Sequence, residues 1–283
     1  MRVLVTGAGG MLGRAVAGAA RARGHDVVAL ARADADVTDA AALRAALARA
    51  APQAVVNCAA WTDVDGAEAD EAGATRVNGT GAGNVASAAA GCGARVVHVS
   101  TDYVFDGFKR EPYLEDDPVG PRSAYGRSKL AGERAVAEAA GDHAIVRTAW
   151  LFGAGGRNFV DTMLGLGAER DEVRVVTDQI GCPTWTGHLA PALLDLAAGT
   201  ATGVFHVAAA GACSWHELAV EAFRRAGLAC DVRPTTTADF PRPAPRPAFS
   251  VLRSARPETP ALPAWQEGLA AYLDQRVPVG VTE

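Results

Sequence analysis

Val3-Leu4-Val5-Thr6-Gly7-Ala8-Gly9-Gly10-Met11-Leu12-Gly13 stands almost at the start of the chain. An apolar, β-branched run passes straight into glycines and then into Leu12–Arg23, whose apolar positions recur at helical spacing and which Gly24 is placed to end. This reads as a strand, a tight turn and a helix. In Gly7-x-x-Gly10-x-x-Gly13, glycine permits the turn, lets backbone approach a pyrophosphate closely, and lets the helix pack near the strand. The helix N-terminus offers free N–H groups and a positive dipole end to phosphates. The stretch therefore predicts a dinucleotide site at Gly7, Gly10 and Gly13.

The same rhythm continues outward. Asp26–Ala31, Ala54–Cys58, Arg95–Ser100 and Ala144–Thr148 read as strands. Asp39–Arg49 (capped by Thr38 or Asp39), a segment around Gly79–Ala90, and Tyr125–Ala139 read as helices. Repeated strand–helix units imply an α/β fold with a doubly wound parallel sheet of the Rossmann type. After Trp150 the rhythm loosens. Val173–Thr177 and Gly203–Ala208 read as strands and Trp215–Arg225 as a helix. Arg233–Pro247, with five prolines, is incompatible with regular helix or central strand and reads as an ordered loop lining a cleft. Residues 1–149 are expected to form the dinucleotide-binding domain. Residues 150–283 are expected to form mainly a smaller substrate-binding lobe, with the strand near 203–208 returning to the first sheet.

With 283 residues, 49% hydrophobic and 21% charged, the chain can bury a substantial core. A net charge of −5 argues against an electrostatic nucleic-acid or membrane binder. Met1–Thr6 is too short an apolar run for a signal core, and no run reaches the ~18 apolar residues of a membrane span. Five cysteines (Cys58, Cys92, Cys182, Cys213 and Cys230) without CxxC spacing suggest a reduced, cytoplasmic protein with no zinc site.

Two readings concern the cofactor and its chemistry. The second strand ends Ala29-Leu30-Ala31-Arg32, without an acid for the adenosine ribose. Arg32 could pair with a 2′-phosphate, which favours NADPH over NADH. Asp36-Val37 lies where a loop could cover adenine. Ser123-Ala124-Tyr125-Gly126-Arg127-Ser128-Lys129 opens a helix, and Tyr125 and Lys129, four residues apart, share one face. An ammonium beside a phenol favours phenolate, which tunes a proton donor for a carbonyl oxygen. Thr101, at the end of the strand Arg95–Ser100, can hydrogen-bond the same oxygen.

These elements together resemble the extended short-chain dehydrogenase/reductases, and more closely the dTDP-4-dehydrorhamnose reductase family. The resemblance rests on 6–13, Val56–Asp65, Ser100–Gly107, Tyr125–Glu133, Arg147–Trp150, Asn158-Phe159 and Asp178–Thr184, and covers nearly the whole chain. It implies reduction of the C4 keto group of a dTDP-4-keto-6-deoxy sugar by NADPH, with NADH as the alternative cofactor. Tyr125 would donate the proton, Lys129 would hold the nicotinamide ribose and lower the Tyr125 pKa, and Thr101 would tune the transfer. Gly10, Met11 and Leu12 would line the pyrophosphate, Asp36 and Val37 the adenine, and Ala60, Trp61 and Thr62 the nicotinamide half. Thr101, Asp102 and Trp150 would contact the sugar nucleotide; Asn158 and Arg246 fall in family motifs on the substrate side. A homodimer is an expected assembly.

There are departures. In Arg246–Leu252, which resembles the family's substrate-loop motif, Phe249 replaces an expected Asn, and the following Arg253 an expected acid or amide. Some members bridge a dimer with magnesium through carboxylates. The matching positions here are Ala15 and the neighbourhood of Gly187 and His188, so no metal is expected. A dehydratase would need a second carboxylate after Asp102, where Tyr103 stands. Reduction of a related dTDP-keto sugar in antibiotic biosynthesis, of the dihydrostreptose type, is the enzymatic alternative; a non-catalytic NADP-binding regulatory subunit is the alternative of another class. His98 and His206 read as packing residues and His216 as a surface one, while Trp185 reads equally as core packing or as an aromatic face for a ligand. The aromatic faces of Trp61 and Trp150 are candidates to cover a sugar or a base.

Overall fold

The computed structural model describes residues 1–276. Five strands, β1 (Arg2–Thr6), β2 (Asp26–Leu30), β3 (Ala54–Asn57), β4 (Arg95–Thr101) and β5 (His143–Thr148), alternate with helices α1 (Met11–Ala22), α2 (Ala40–Ala50), α3 (Val64–Ala69), α4 (Glu71–Thr75), α5 (Gly81–Gly91) and α6 (Ala124–Ala139). The second half adds β6 (Leu151–Phe152), α7 (Phe159–Glu169), β7 (Glu172–Val176), β8 (Ile180–Gly181), β9 (Thr184–Trp185) and α8 (Thr186–Ala198). It ends with β10 (Gly203–His206), β11 (Cys213–Ser214), α9 (Trp215–Ala226), β12 (Asp231–Thr235) and α10 (Trp265–Gln275).

Six strands form one sheet in the order β2-β1-β3-β4-β5-β10, every pair parallel. The chain leaves β1 toward β2 and returns to the other side as β3, so the direction of winding reverses between β1 and β3, where ligands of such sheets bind. The inner strands β1, β3, β4 and β5 are largely buried, while the edge strand β2 is not. One face packs on Leu12, Val16 and Ala20 of α1 and Leu189 and Leu193 of α8. The other packs on Leu43 and Leu47 of α2, Val85 of α5 and Val136 of α6. A separate cluster, including Phe152, Val160, Leu218, Phe223 and Leu269, carries the C-terminal elements.

Two local results differ from the sequence reading. The helix expected from Gly79 is preceded by a π-helical turn at Arg76–Thr80, and α5 itself begins at Gly81. The buried Asn78 amide is drawn sideways to the backbone of Trp61, and such bulges commonly mark functional sites. The proline-rich stretch begins as β12, whose Pro234 lies in a ribbon paired only with β7, where no second neighbour needs its missing N–H. Among the described residues no helix is long and apolar enough to cross a membrane, and no group of three or more His, Cys, Asp or Glu could hold a metal ion.

Candidate active site

The glycine turn sits at the reversal point. Gly7 has φ +64°, and a Cβ there would lie 2.6 Å from the Ala59 amide nitrogen beyond β3. A Cβ on Gly13 would lie 2.2 Å from the Gly7 carbonyl oxygen. Gly10 caps α1 without a side-chain hydrogen bond, leaving the first-turn amides of Met11, Leu12 and Gly13 for a ligand. An uncapped helix end over a close-packed glycine turn fits a dinucleotide diphosphate. Gly13→Ala must open this turn, so cofactor affinity is expected to fall at least about tenfold, as a lost charge-assisted contact would give. A fluorescence titration with unchanged affinity would dissociate Gly13 from the site.

At the tip of β2, Arg32 is 86% exposed at its side chain and pairs with Asp36 at 3.0 Å. The Thr38 backbone amide and hydroxyl, followed by Arg32, hold the Asp36 carboxyl below its usual range. Val37 is buried beneath. The expectation of a tip free of acid needs correction: Asp34 folds back, and its Oδ2 accepts from the Ala31 amide at 2.8 Å. The carboxylate arrives from three residues downstream, outside the window read from sequence.

Ala60, Trp61 and Thr62 follow β3 in the loop to α3. The Trp61 N–H donates to Asn78 Oδ1 at 2.8 Å, while Asn78 Nδ2 donates to the Trp61 carbonyl at 3.1 Å and to Ser128 Oγ at 2.9 Å. Asn78 thus ties this loop to α6, and Trp61 and Tyr125 pack on the same buried alanines, Ala67, Ala74 and Ala124. The Asn78-Gly79-Thr80 signal was visible in sequence but not assigned a role.

Ser123 caps α6 by accepting from the Gly126 amide at 3.1 Å. Gly126 lets the helix approach the turn after β4, since a Cβ would lie 2.3 Å from the Tyr103 carbonyl. This presents Tyr125 beside Thr101 and Asp102. Burial pushes the Tyr125 phenol up to about 12; the Asp102 charge acts the same way, and the Thr101 hydroxyl opposes both. Lys129 is buried and donates to the Val99 carbonyl at 2.7 Å. Burial lowers its ammonium to about 8, against the pull of Glu133 and Cys58. In this structure the Lys129 ammonium is drawn to the β4 backbone. Asp102 is raised to about 6 by burial, despite the Ser250 and Thr101 hydroxyls.

The remaining expectations divide. Trp150, at φ +49°, stacks on Trp215 with ring centroids 3.5 Å apart and planes 3° from parallel. Its indole also leaves no room for a Cβ on Gly181. Trp215 thus occupies one face of the Trp150 indole. Asn158 as a substrate contact is corrected. It caps α7, accepting from Asp161 N at 2.9 Å and donating to Gly153 O at 3.0 Å and Asp161 Oδ2 at 2.8 Å, so its amide is committed locally. Arg246 is 15% exposed at its side chain, and its Nη2 meets Asp65 Oδ2 at 3.0 Å. Its Nη1 is buried without a partner among the described residues. Asp65 also takes Arg242, which straps the proline-rich loop to the start of α3. Neither Asp65 nor Ser250 was assigned a role from sequence. His98, His206 and Trp185 are buried; His216 is half-buried, its Nε2 3.0 Å from the Val232 carbonyl.

Comparison with known proteins is consistent with this geometry. The family model described as the RmlD substrate binding domain matches residues 1–277. The dTDP-4-dehydrorhamnose reductase of Streptomyces griseus is 51% identical over 262 residues, covering 90% of this chain and 86% of that protein. A probable dTDP-4,6-dihydroxy-2-methyloxan-3-one 4-ketoreductase of Streptomyces antibioticus is 48% identical over 287 residues, covering 98% and 92%. A crystal structure of dTDP-4-dehydrorhamnose reductase from Bacillus anthracis in complex with NADP superposes with a TM-score of 0.95 at 37% identity, covering 97% of this chain and 99% of that one. With the family model spanning nearly its whole length and such relatives beside it, the chain belongs to the RmlD substrate binding domain family.

Proposed function

We propose that this chain reduces the C4 keto group of a dTDP-4-keto-6-deoxy sugar with NADPH, converting dTDP-4-dehydro-L-rhamnose to dTDP-L-rhamnose. The observation that carries the reading is Tyr125 held against Thr101 in a chain that also has an uncapped α1 over a close-packed glycine turn. Residues 1–149 would seat the cofactor and 150–276 most of the substrate lobe. When bound, the dihydronicotinamide supplies the hydride. Met11, Leu12 and Gly13 amides hold the diphosphate, Arg32 meets the 2′-phosphate, and the Ala60–Thr62 loop flanks the nicotinamide half. Lys129 holds the nicotinamide ribose as a cation. Tyr125 gives its phenolic proton to the oxygen at C4 while Thr101 shares that oxygen. Asp102 and Arg246 bind the sugar nucleotide, with the edge of Trp150 at the sugar.

The test is NADPH oxidation with enzymatically prepared dTDP-4-keto-L-rhamnose. No oxidation with any dTDP-4-keto sugar would remove the reading in favour of a cofactor-binding regulatory subunit. Phe249, half-buried in the substrate segment, favours a second reading, a related dTDP-keto sugar; product analysis across several keto sugars separates the two.

Two further outcomes follow. Arg32→Ala is expected to raise the NADPH KM about tenfold, the size of one charge-assisted bond to phosphate, and to leave NADH nearly unchanged. Equal effects on both cofactors would undo the phosphate assignment. The pH profile of kcat/KM should rise through about 6, as the Asp102 carboxylate ionises, and fall above about 8, as Lys129 loses its proton. A profile flat through both regions would exclude these two groups.

A further inference from the structure

Tyr103 follows Asp102 in the turn after β4. Its ring stands edge-on to that of Tyr125, with centroids 5.6 Å apart and planes 77° from parallel. Its backbone is fixed on both sides: the amide donates to Thr101 Oγ1 at 3.2 Å, and the carbonyl lies against Gly126. The residue is half-buried. Its hydroxyl has no hydrogen-bond partner among the described residues and is not sealed from solvent. Burial pushes the phenol up, the Arg246 charge opposes this, and Asp102, Tyr125 and Asp65 add to it. At neutral pH the group is therefore an open donor, within electrostatic reach of Tyr125 on one side and Arg246 on the other.

Arg246 does not stand alone. Asp65, at the start of α3, accepts from Arg242 Nε at 3.0 Å and from the Ala244 amide at 3.1 Å, and meets Arg246 Nη2 at 3.0 Å. Two guanidinium groups thus share one carboxylate, and no other acid pairs with either among the described residues. A positive charge is left uncompensated, and the Arg242 side chain is 49% exposed. An open phenolic donor beside an uncompensated cation calls for an anionic acceptor, to which a hydrogen bond is about twice as strong as to a neutral one.

We infer that Tyr103, with Arg242 and Arg246, binds the diphosphate of the sugar nucleotide, the Tyr103 hydroxyl donating to the phosphate attached to the sugar. This rests on the proposed reductase function. Under that reading the sugar is held by its C4 oxygen at Tyr125 and Thr101. Tyr103 packs on Tyr125 and so stands beside the sugar, and the first anion met along the substrate from there is the sugar-linked phosphate. Asp65 is a positioning residue: it holds both arginines at this place without cancelling their charge. Tyr103 touches no reacting atom, so it acts on binding rather than on the proton transfer.

The experiment is a calorimetric titration of the full chain, with NADP present, by dTDP and by dTMP, which lacks the second phosphate. Tyr103→Phe keeps the ring against Tyr125 and removes only the hydroxyl. It is expected to weaken dTDP about tenfold, the size of one hydrogen bond to a charged group, and to leave the affinities for dTMP and, titrated separately, NADPH unchanged. KM for the keto sugar should rise with it while kcat holds. If that variant folds poorly, Arg242→Gln, on an exposed side chain, should weaken dTDP about threefold at low salt, with the difference fading at high salt. An unchanged dTDP affinity in Tyr103→Phe, or an equal loss for dTMP, would overturn this inference and leave the reductase reading standing. A wild type that neither binds dTDP nor reduces any dTDP-keto sugar would overturn both.

Discussion

Tyr125→Phe is expected to lower kcat by about 10²–10⁴-fold, the usual contribution of a positioned acid, and to leave NADPH affinity almost unchanged. In a reduction the acid must arrive with its proton and release it only as negative charge gathers on the substrate oxygen. Burial and the Asp102 charge hold the phenol up to about 12, so it is protonated at neutral pH. The Thr101 hydroxyl opposes that shift, and Tyr103 packs edge-on against the ring at 5.6 Å, fixing its orientation. Phenylalanine keeps the packing and removes only the proton. Single-turnover oxidation of NADPH isolates this step, and a cofactor titration controls for folding. A Tyr125→Phe enzyme with wild-type turnover would take the phenol out of the mechanism.

How much of this site was legible follows from how each part is built. The glycine turn, the strand ends at Thr101 and Asp102 and the Tyr125–Lys129 face are local patterns, in which a few adjacent residues dictate the backbone. They were read with nearly the observed boundaries. What was not legible depends on contacts between distant segments. Asp34 returns to its own strand tip through a side-chain bond. The π-helical turn at Asn78 exists because its amide answers the backbone of Trp61, seventeen residues earlier. The Trp150 stack needs Trp215, far along the chain at the start of α9. Ser250 reaches its place only because the segment after the prolines is laid against β8 and the loop after β4. Asn158 shows the reverse case: a residue of a shared motif, read as a ligand contact, spends its amide capping the start of a helix.

Arg147→Ala is expected to lower the unfolding free energy by about 3–5 kcal/mol, the cost of stranding one member of a buried ion pair. Arg147 lies on β5 and Glu133 on α6, one helical turn beyond Lys129. The guanidinium meets the carboxylate through two parallel bonds, Nε to Oε1 at 2.9 Å and Nη2 to Oε2 at 2.8 Å, with both side chains 5% exposed. Ser100 Oγ adds a bond to Oε1 at 2.5 Å, and the guanidinium lies 5.1 Å from the Phe105 ring centre. Without Arg147, the Glu133 carboxylate keeps the serine bond and the more distant pull of the Lys129 ammonium in a place closed to water. The attraction within the pair does not by itself explain so large a loss, because burying both charges offsets most of it; the penalty comes from the partner left behind. Replacing both, as Glu133→Leu with Arg147→Met, should therefore recover most of the loss. Denaturant midpoints at constant m-value measure both variants. A single Arg147→Ala change costing under about 1 kcal/mol, the range of an exposed pair, would show that the bridge between α6 and β5 is not what anchors the helix bearing Tyr125 and Lys129.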